Sequence, residues 1–530
     1  MQAARDHENG PFRQLPAPGM RWLGGLMLCC LAHLAAPALP AQQRADPVAI
    51  GMARASVATA RGLSAINSNI GALGLNAMGV YDSLQDVEID LALFPLGASA
   101  GSTYLSSSDL DFVFDRKDSG IFTDDDRHRL AGLLEPGRLS ADAAVDLFAL
   151  RIRAPGVGAL GIRYGHRVRA RMDFPENFRT GVLGSGDVFA GNQMFANPDI
   201  GGEWTRDLTV TLSTAFERHN DDPAAQDFWF PSFGIGMSLG YMEGIVHYDV
   251  DPGSWARTTV IPSSADAGYR TIQVEGYYTF RSSEPVDSTF NPSDAILGSG
   301  LFDRKAAAAD GWEGGFGLSL VILRKLKDPQ EEIIGNPLDA EIIRRTDDEV
   351  RDALTFGLAI DGMGSLLWNG RNRERRYPDI LDTLNDAGGG ISNDVIYRYE
   401  AKLDTIGAFR SELPRQVRMG FGADLTAFFP AVTGDLLASI EAAIPLNHAI
   451  GSDRDPRLSI GGEWRLHPGL ILRTGFQFGG NLGVAMAVGV GFRPFRWLMV
   501  DLATSEATSA FLSDRSRLDL ALRLATKIRL

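Results

Sequence analysis

The chain has 530 residues, 45% of them hydrophobic and 22% charged, with a formal net charge of -15. That length suits two or three soluble domains or one mid-sized barrel with loops, so length alone does not choose. The acidic balance and the lack of a basic tail argue against nucleic acid as a partner, because phosphate binding relies on clustered Lys and Arg.

Met20-Arg21-Trp22 opens an apolar run through Leu34 that ends in Ala36-Pro37-Ala38 and Leu39-Pro40-Ala41. A positive start, a short apolar core and small residues at the end read as a secretory signal, and the run is shorter than the ~20 residues a spanning helix needs. We therefore expect residues 1–41 to be a signal peptide. Met1 to Gly19 is polar and adds nothing to that signal, so Met20 is the expected start of translation. Both cysteines, Cys29 and Cys30, lie inside it, which leaves the mature chain no disulfide, thiol nucleophile or thiolate metal site. Leu28 stands where a lipoprotein signal needs a small residue, so no lipid anchor is expected. No later segment offers about 18 consecutive uncharged apolar residues. An exported chain of this kind is periplasmic, secreted or a barrel.

Residues 42–86 form an N-terminal segment. From Gln42 to Met78 it is rich in small residues and does not alternate, so it reads as short helix and loop, with the barrel interior as one place for it. Val87, Ile89, Leu91 and Leu93 alternate with Glu88, Asp90 and Ala92 and make the first clear strand of a domain spanning 87–530. Thr123-Asp124-Asp125-Asp126 opens a helix to about Leu134. Its aspartates suit a helix cap better than calcium, because the spacing lacks the alternation and bidentate glutamate of a calcium loop.

Leu139 to Arg153 and Leu160 to Phe174 form a hairpin around Pro155-Gly156. Its second strand puts Arg163, Arg167, Arg169 and Arg171 on one face, and Asp142 and Asp146 stand on the polar face of the first. Opposite charges across neighbouring strands can pair inside a wet lumen. The same parity rule marks Trp204 to Phe216, Phe233 to Tyr241, Ile272 to Phe280, Phe316 to Leu323 and Leu354 to Ile360. Glycines recur on the inward parity (Gly234, Gly236 and Gly240; Gly315 and Gly317), where they leave space or let a strand bend.

The C-terminal third runs Val417 to Phe428, Leu436 to Ile444, Leu458 to Leu466, Leu470 to Phe478, Val484 to Phe492, Trp497 to Ala503 and a closing strand, Ser516 to Leu530. In that last strand leucines and isoleucine hold one parity while Arg517, Asp519, Arg523, Lys527 and Arg529 hold the other. The connections alternate between short and long, as they do in barrels with short periplasmic turns and longer outer loops. Arg324 to Arg351 breaks that order, so it is either a periplasmic insertion or hides further strands. Trp368 to Glu412 reads as a long outer loop. The expected fold is all-β: an antiparallel transmembrane barrel of about 14 strands (12 to 16), with a small helical and loop segment before it, a few loop helices, and the bacterial outer membrane and its lipid as surroundings.

Chemistry is hard to find. Gly236-Met237-Ser238-Leu239-Gly240 matches a nucleophile elbow, but it sits in an alternating segment and His247 has the opposite parity to Ser238. His128, His166, His219, His247, His448 and His467 are scattered without metal-ligand spacing, and there is no phosphate loop or dinucleotide fingerprint in context. No catalytic residue, cofactor or metal is expected. Trp204, Trp464 and Trp497 suit interface girdles.

Gly234-Ile-Gly-Met-Ser-Leu-Gly-Tyr-Met-Glu-Gly244, Phe356-Gly-Leu-Ala-Ile-Asp-Gly-Met-Gly364, and Ile460-Gly-Gly-Glu-Trp-Arg followed by Leu472-Arg-Thr-Gly-Phe carry a resemblance. Over most of the mature region the chain resembles a family of outer-membrane barrels defined by a domain of unknown function. More distantly it is similar to the long-chain fatty-acid transporter (FadL-like) class and to PorV-like barrels. Many relatives have an Asn-Pro-Ala turn near the mature N-terminus, and here Leu75-Asn76-Ala77-Met78 lacks the proline, which leaves open whether the N-terminal segment plugs the barrel. The resemblance implies a channel, transporter or binding protein for small, hydrophobic molecules. The alternatives are a structural barrel that anchors secretion or surface-attachment partners and, more remotely, a hydrolase built on Ser238.

Overall fold

The structure is a computed structural model. It describes residues 46–75, 87–102, 137–174, 199–217, 227–251, 253–262, 270–284, 307–326, 350–377, 402–429, 432–453, 455–467, 469–480, 483–495, 497–507 and 517–529, with the short stretches 193–196, 331–334, 341–344 and 382–386. The helix expected from Thr123 to Leu134, and the signal segment, lie outside these residues.

Alternating side chains produce long strands, and the strands join into a ring. The first seven are β1 (Glu88–Ser102), β2 (Gly137–Ala154), β3 (Gly158–Phe174), β4 (Asp199–Glu217), β5 (Asp227–Val250), β6 (Ala309–Leu326) and β7 (Val350–Trp368). The other seven are β8 (Gln416–Asp424), β9 (Asp435–Pro445), β10 (Arg457–His467), β11 (Leu470–Gly479), β12 (Ala485–Phe495), β13 (Leu498–Thr504) and β14 (Arg517–Arg529). Each pairs antiparallel with the next, and β14 returns to β1 with Ile528 opposite Ile89. The result is a closed 14-strand barrel without an open edge.

The period of two divides wall from lumen. Along β5, Ile235, Met237 and Leu239 are exposed while Gly234, Gly236 and Gly240 are buried; along β10, Leu458 and Ile460 are exposed while Arg457, Ser459 and Gly461 are buried. Exposed apolar residues beside buried charges invert the order of a soluble protein, and they fit a wall whose solvent is lipid. Exposed aromatics gather towards the short-turn ends: Trp229 and Phe230, Phe428 and Phe429, and the stacked pair Phe495 and Trp497. Tyr241 and Trp312, edge to face at 5.3 Å, stand nearer the opposite rim. Such girdles mark the two interfaces of a bilayer.

Both ends of the barrel sequence meet at the short-turn rim, which is the periplasmic side in barrels of this architecture. The expected strand over Ile272 to Phe280 departs from the reading. It belongs to Arg270–Glu284, which pairs with Trp255–Pro262, Arg371–Tyr377 and Asp382–Asp386 in a sheet rising from the outer rim, and among the described residues its ladder meets the wall at the last residues of β5. Its alternation is real, but alternation does not say whether lipid or water lies outside. The stretch after β6 is an insertion at the periplasmic rim, with a small hairpin of Glu331–Ile334 and Glu341–Arg344 separate from the barrel sheet.

Residues 46–75 lie inside the ring. They hold two short helices, α1 (Pro47–Gly51) and α2 (Leu63–Ser68), and a 3-10 turn, Ile70–Ala72. Asp46 caps α1 by accepting the Val48 amide at 3.2 Å, with Pro47 suited to a first turn that lacks an amide partner. Such short helices do not persist alone, so the surrounding wall must hold them.

Candidate functional site

The plug is held by wall side chains that reach its backbone. Glu441 of β9 accepts the amides of Ser56 and Val57 at 2.9 and 2.8 Å. Arg151 of β2 donates to Leu73 O at 2.9 Å, Arg153 to Gly74 O at 3.2 Å, and Arg418 of β8 to Ser68 O. Asn69 of the plug donates to Leu318 O of β6, and Thr355 of β7 to Ala58 O. At the start of the plug, Arg523 of β14 bonds Asp46 and Asp501 at 2.9 Å each and Ser64 at 2.9 Å, and Asp501 also receives Arg473, which in turn holds Glu463. Arg151 and Arg153 lie near the periplasmic end of β2, whereas Arg418 and Glu441 lie nearer the outer ends of β8 and β9 and Arg523 is mid-strand.

Two inward glycines make the close fit possible. A Cβ on Gly236 of β5 would run into Ile70 O, and one on Gly317 of β6 would meet Gly71 N and the Asn69 side chain. The plug's apolar side, with Leu63, Ile66, Leu73 and Leu75, rests on Ala92, Ala149 and Ala159 of β1 to β3. Gly240, on the same parity as Gly236, faces Thr209 of β4 instead of the plug.

The arginine row of β3 has three different surroundings. Arg163 bonds Asp207 and Thr209 and lies 3.8 Å from Asp146. Arg167 reaches Asp207 at 3.0 Å and Glu313 at 3.6 Å, and Arg169 reaches Glu203 at 2.7 Å; Asp142, opposite Arg169 in register, is buried. Arg171 stands at the outer rim and holds Asp199 at 2.8 Å. On β14, Arg523 belongs to the plug contacts above and Lys527 pairs with Glu88 at 2.9 Å near the periplasmic rim. Arg517 and Asp519 pair through their backbones with Gly101 and Ser99, and their side chains lie outside the described residues.

A segment at the outer rim, which the sequence did not single out, reaches across the ring. The connection between β9 and β10, residues 446–453, crosses from the β8 side to β3 and β4, far round the ring. At its near end Asn447 donates to Leu413 O at 2.8 Å and Glu412 at 3.0 Å and accepts the Arg415 amide at 3.0 Å. At its far end Arg171 donates to Ala449 O at 2.8 Å and to His448 O, Ile450 lies against Gly201, and Gly451 turns at φ 85° against Arg169. We call this segment the strap.

Near the outer ends of β5, β6 and β7, Met242, Ala309, Leu366 and Trp368 pack into a buried apolar cluster with Leu413, and Phe409 lies against it. The Trp368 indole donates to Ser411 at 2.8 Å, and the buried His247 ring lies 4.8 Å away. Ser238 sits mid-strand opposite Thr211 and Gly315, without the strand-to-helix turn an elbow requires.

A closed ring of strands with a lipid-facing apolar surface and a short helical segment inside it defines an outer-membrane β-barrel. No protein-family model matches the chain, and no curated protein matches it. Among solved structures it is similar to the toluene transporter TbuX of Ralstonia pickettii (10% identity, 92% of this chain and 99% of that one, TM-score 0.35). It is also similar to the toluene transporter TodX of P. putida (10%, 92% and 98%, 0.33) and a FadL homologue of Pseudomonas aeruginosa (9%, 93% and 98%, 0.33). The barrel assignment itself rests on the strand pairing.

Proposed function

We propose that this barrel is a gated channel for small apolar molecules, shut in the present state by the plug below and the strap above. The observation that carries this reading is the way the plug is seated. It sits in the lumen through hydrogen bonds from wall side chains to its backbone and does not add a strand to the sheet, so it can shift without breaking the barrel ladder. A barrel serving only as an anchor has no need of a fitted stopper. The apolar cargo class is supported by the buried apolar cluster of Met242, Leu366, Trp368 and Leu413 near the outer ends of β5 to β7, which would line the path with apolar surface if it opened. The charged positions Asp142, Asp146, Arg163, Arg167 and Arg169 line the path in this reading, and Arg171 latches its mouth. Proteoliposomes containing the full chain should take up toluene or naphthalene faster than protein-free vesicles and should show no gain for glucose. Equal rates for toluene with and without protein would refute the channel.

A further inference from the structure

The sheet above the outer rim has two faces, and the register between its strands tells them apart. His247 of β5 lies opposite Ser283, and Ser283 opposite Asn372. The buried His247 ring is 4.8 Å from the Trp368 ring, and the Asn372 side chain donates to Trp368 O at 2.9 Å, so this row looks towards the Trp368 cluster. Two positions along, Asp249 lies opposite Arg281 and Arg281 opposite Glu374, and the Arg281 guanidinium stands 5.6 Å from the Phe409 ring beside the same cluster. Successive side chains leave a strand on opposite faces. Arg371, Arg373 and Arg375 therefore belong to the other face, turned away from the mouth, together with Tyr248, Phe280 and Ser282.

This outer face is basic and neutral. Arg373 lies opposite Ser282 on one side and Thr405, of the short strand Lys402–Thr405, on the other, and Arg375 lies opposite Phe280 and Leu403. Among the register partners of the three arginines only Glu284, opposite Arg371, is acidic. All three arginines are half-buried, Thr405 and Leu403 are exposed, and Arg373 makes no ion pair with a described residue. The Phe280 and Tyr248 rings stack on this face at 6.0 Å. In a chain of net charge -15, a cation row with hydroxyls beside it on an outward surface is arranged for an anion from outside the protein.

The height fits a lipid head group. Tyr241 marks the outer interface, and the register puts Arg371 level with Val246, five residues further along β5. That is ~17 Å of strand, or about 13 Å above the interface at a typical barrel tilt. The row thus begins above the girdle and runs outward through the layer of charged head groups.

We propose that this face is a docking surface for a phosphorylated glycolipid of the outer leaflet. The arginines grip its phosphates, for which the planar guanidinium fork is suited, and the Ser282 and Thr405 hydroxyls donate to phosphate or sugar oxygens. The bound lipid braces the outer sheet, whose ladder meets the wall at residues 247–250.

The test is titration of fluorescently labelled diphosphoryl lipid A with delipidated full-length protein in detergent, read by anisotropy, beside the same lipid stripped of phosphate and with inorganic phosphate as competitor. The expected result is saturable binding that weakens with salt, about fivefold weaker in Arg373→Gln and roughly tenfold or more weaker when Arg371, Arg373 and Arg375 are all changed to Gln. Equal affinity in wild type and the triple variant overturns the surface. Equal binding of the phosphate-free lipid overturns phosphate recognition, and displacement by inorganic phosphate at the concentration of the lipid overturns the lipid as occupant. Should the triple variant fail to fold, Arg373→Gln decides, and an affinity equal to wild type overturns the proposal. The readout does not need conduction, so the surface and the channel can fail separately.

Discussion

The plug and the strap are held to the barrel by different physics. The plug is gripped from most sides of the ring by buried groups: Arg523 and Asp501 are almost sealed from solvent, and Glu441 gives one carboxylate oxygen to two successive amides. The strap hangs at its far end chiefly on Arg171, whose side chain is 21% exposed and whose partner Asp199 is 30% exposed. Buried charge contacts are costly to break because they leave a desolvated partner behind, whereas wet ones exchange readily with water. The strap should therefore open often and locally, and the plug rarely and as a unit.

Substitutions can separate the two. Arg523→Ala leaves Asp46 and Asp501 buried beside a void, and it should lower unfolding free energy by about 3–5 kcal/mol, read in urea titrations in lipid. Gly317→Val pushes a side chain into Gly71 and Asn69, and should lower stability by about 1–3 kcal/mol while raising amide exchange across residues 63–75. Glu441→Gln keeps the shape but weakens the hold on Ser56 and Val57 and uncovers Arg418 and Arg457, with an expected loss of roughly 1–3 kcal/mol and faster exchange at those two amides. Arg171→Ala should cost less than about 1 kcal/mol. It should speed exchange and proteolysis at residues 446–453 and leave 46–75 unchanged; equal loosening of both regions would erase the contrast between them.

Much of the barrel was legible because lipid outside and charge inside impose a period of two that local sequence carries. β14, with its leucines and charges on opposite parities, announces itself; so do the short links at Pro155-Gly156 and His467 to Gly469. The same rule could not tell that Arg270–Glu284 leaves the wall, since a strand with water on both sides can alternate as well. The plug's seat was less legible still. Its small residues have no period, and its partners are remote: Glu441 lies 385 positions from Ser56. The inward glycines were the available signal. Gly236 and Gly317 did mark where space was needed, but what fills that space is set by packing across the ring. The β3 arginines share one face in sequence and only the fold separates Arg163, paired within the wall, from Arg171, tied to a strap contributed by the β9–β10 connection.

In the proposed channel, residues 46–75 are a stopper that shuts the pore and can be loosened. Single-barrel current across a planar bilayer tests this most directly, with the wild type and Arg523→Ala recorded in the same salt. A silent wild type and a variant with flickering openings is the predicted result; a wild type with a steady open conductance, or a folded variant as silent as its parent, would contradict it.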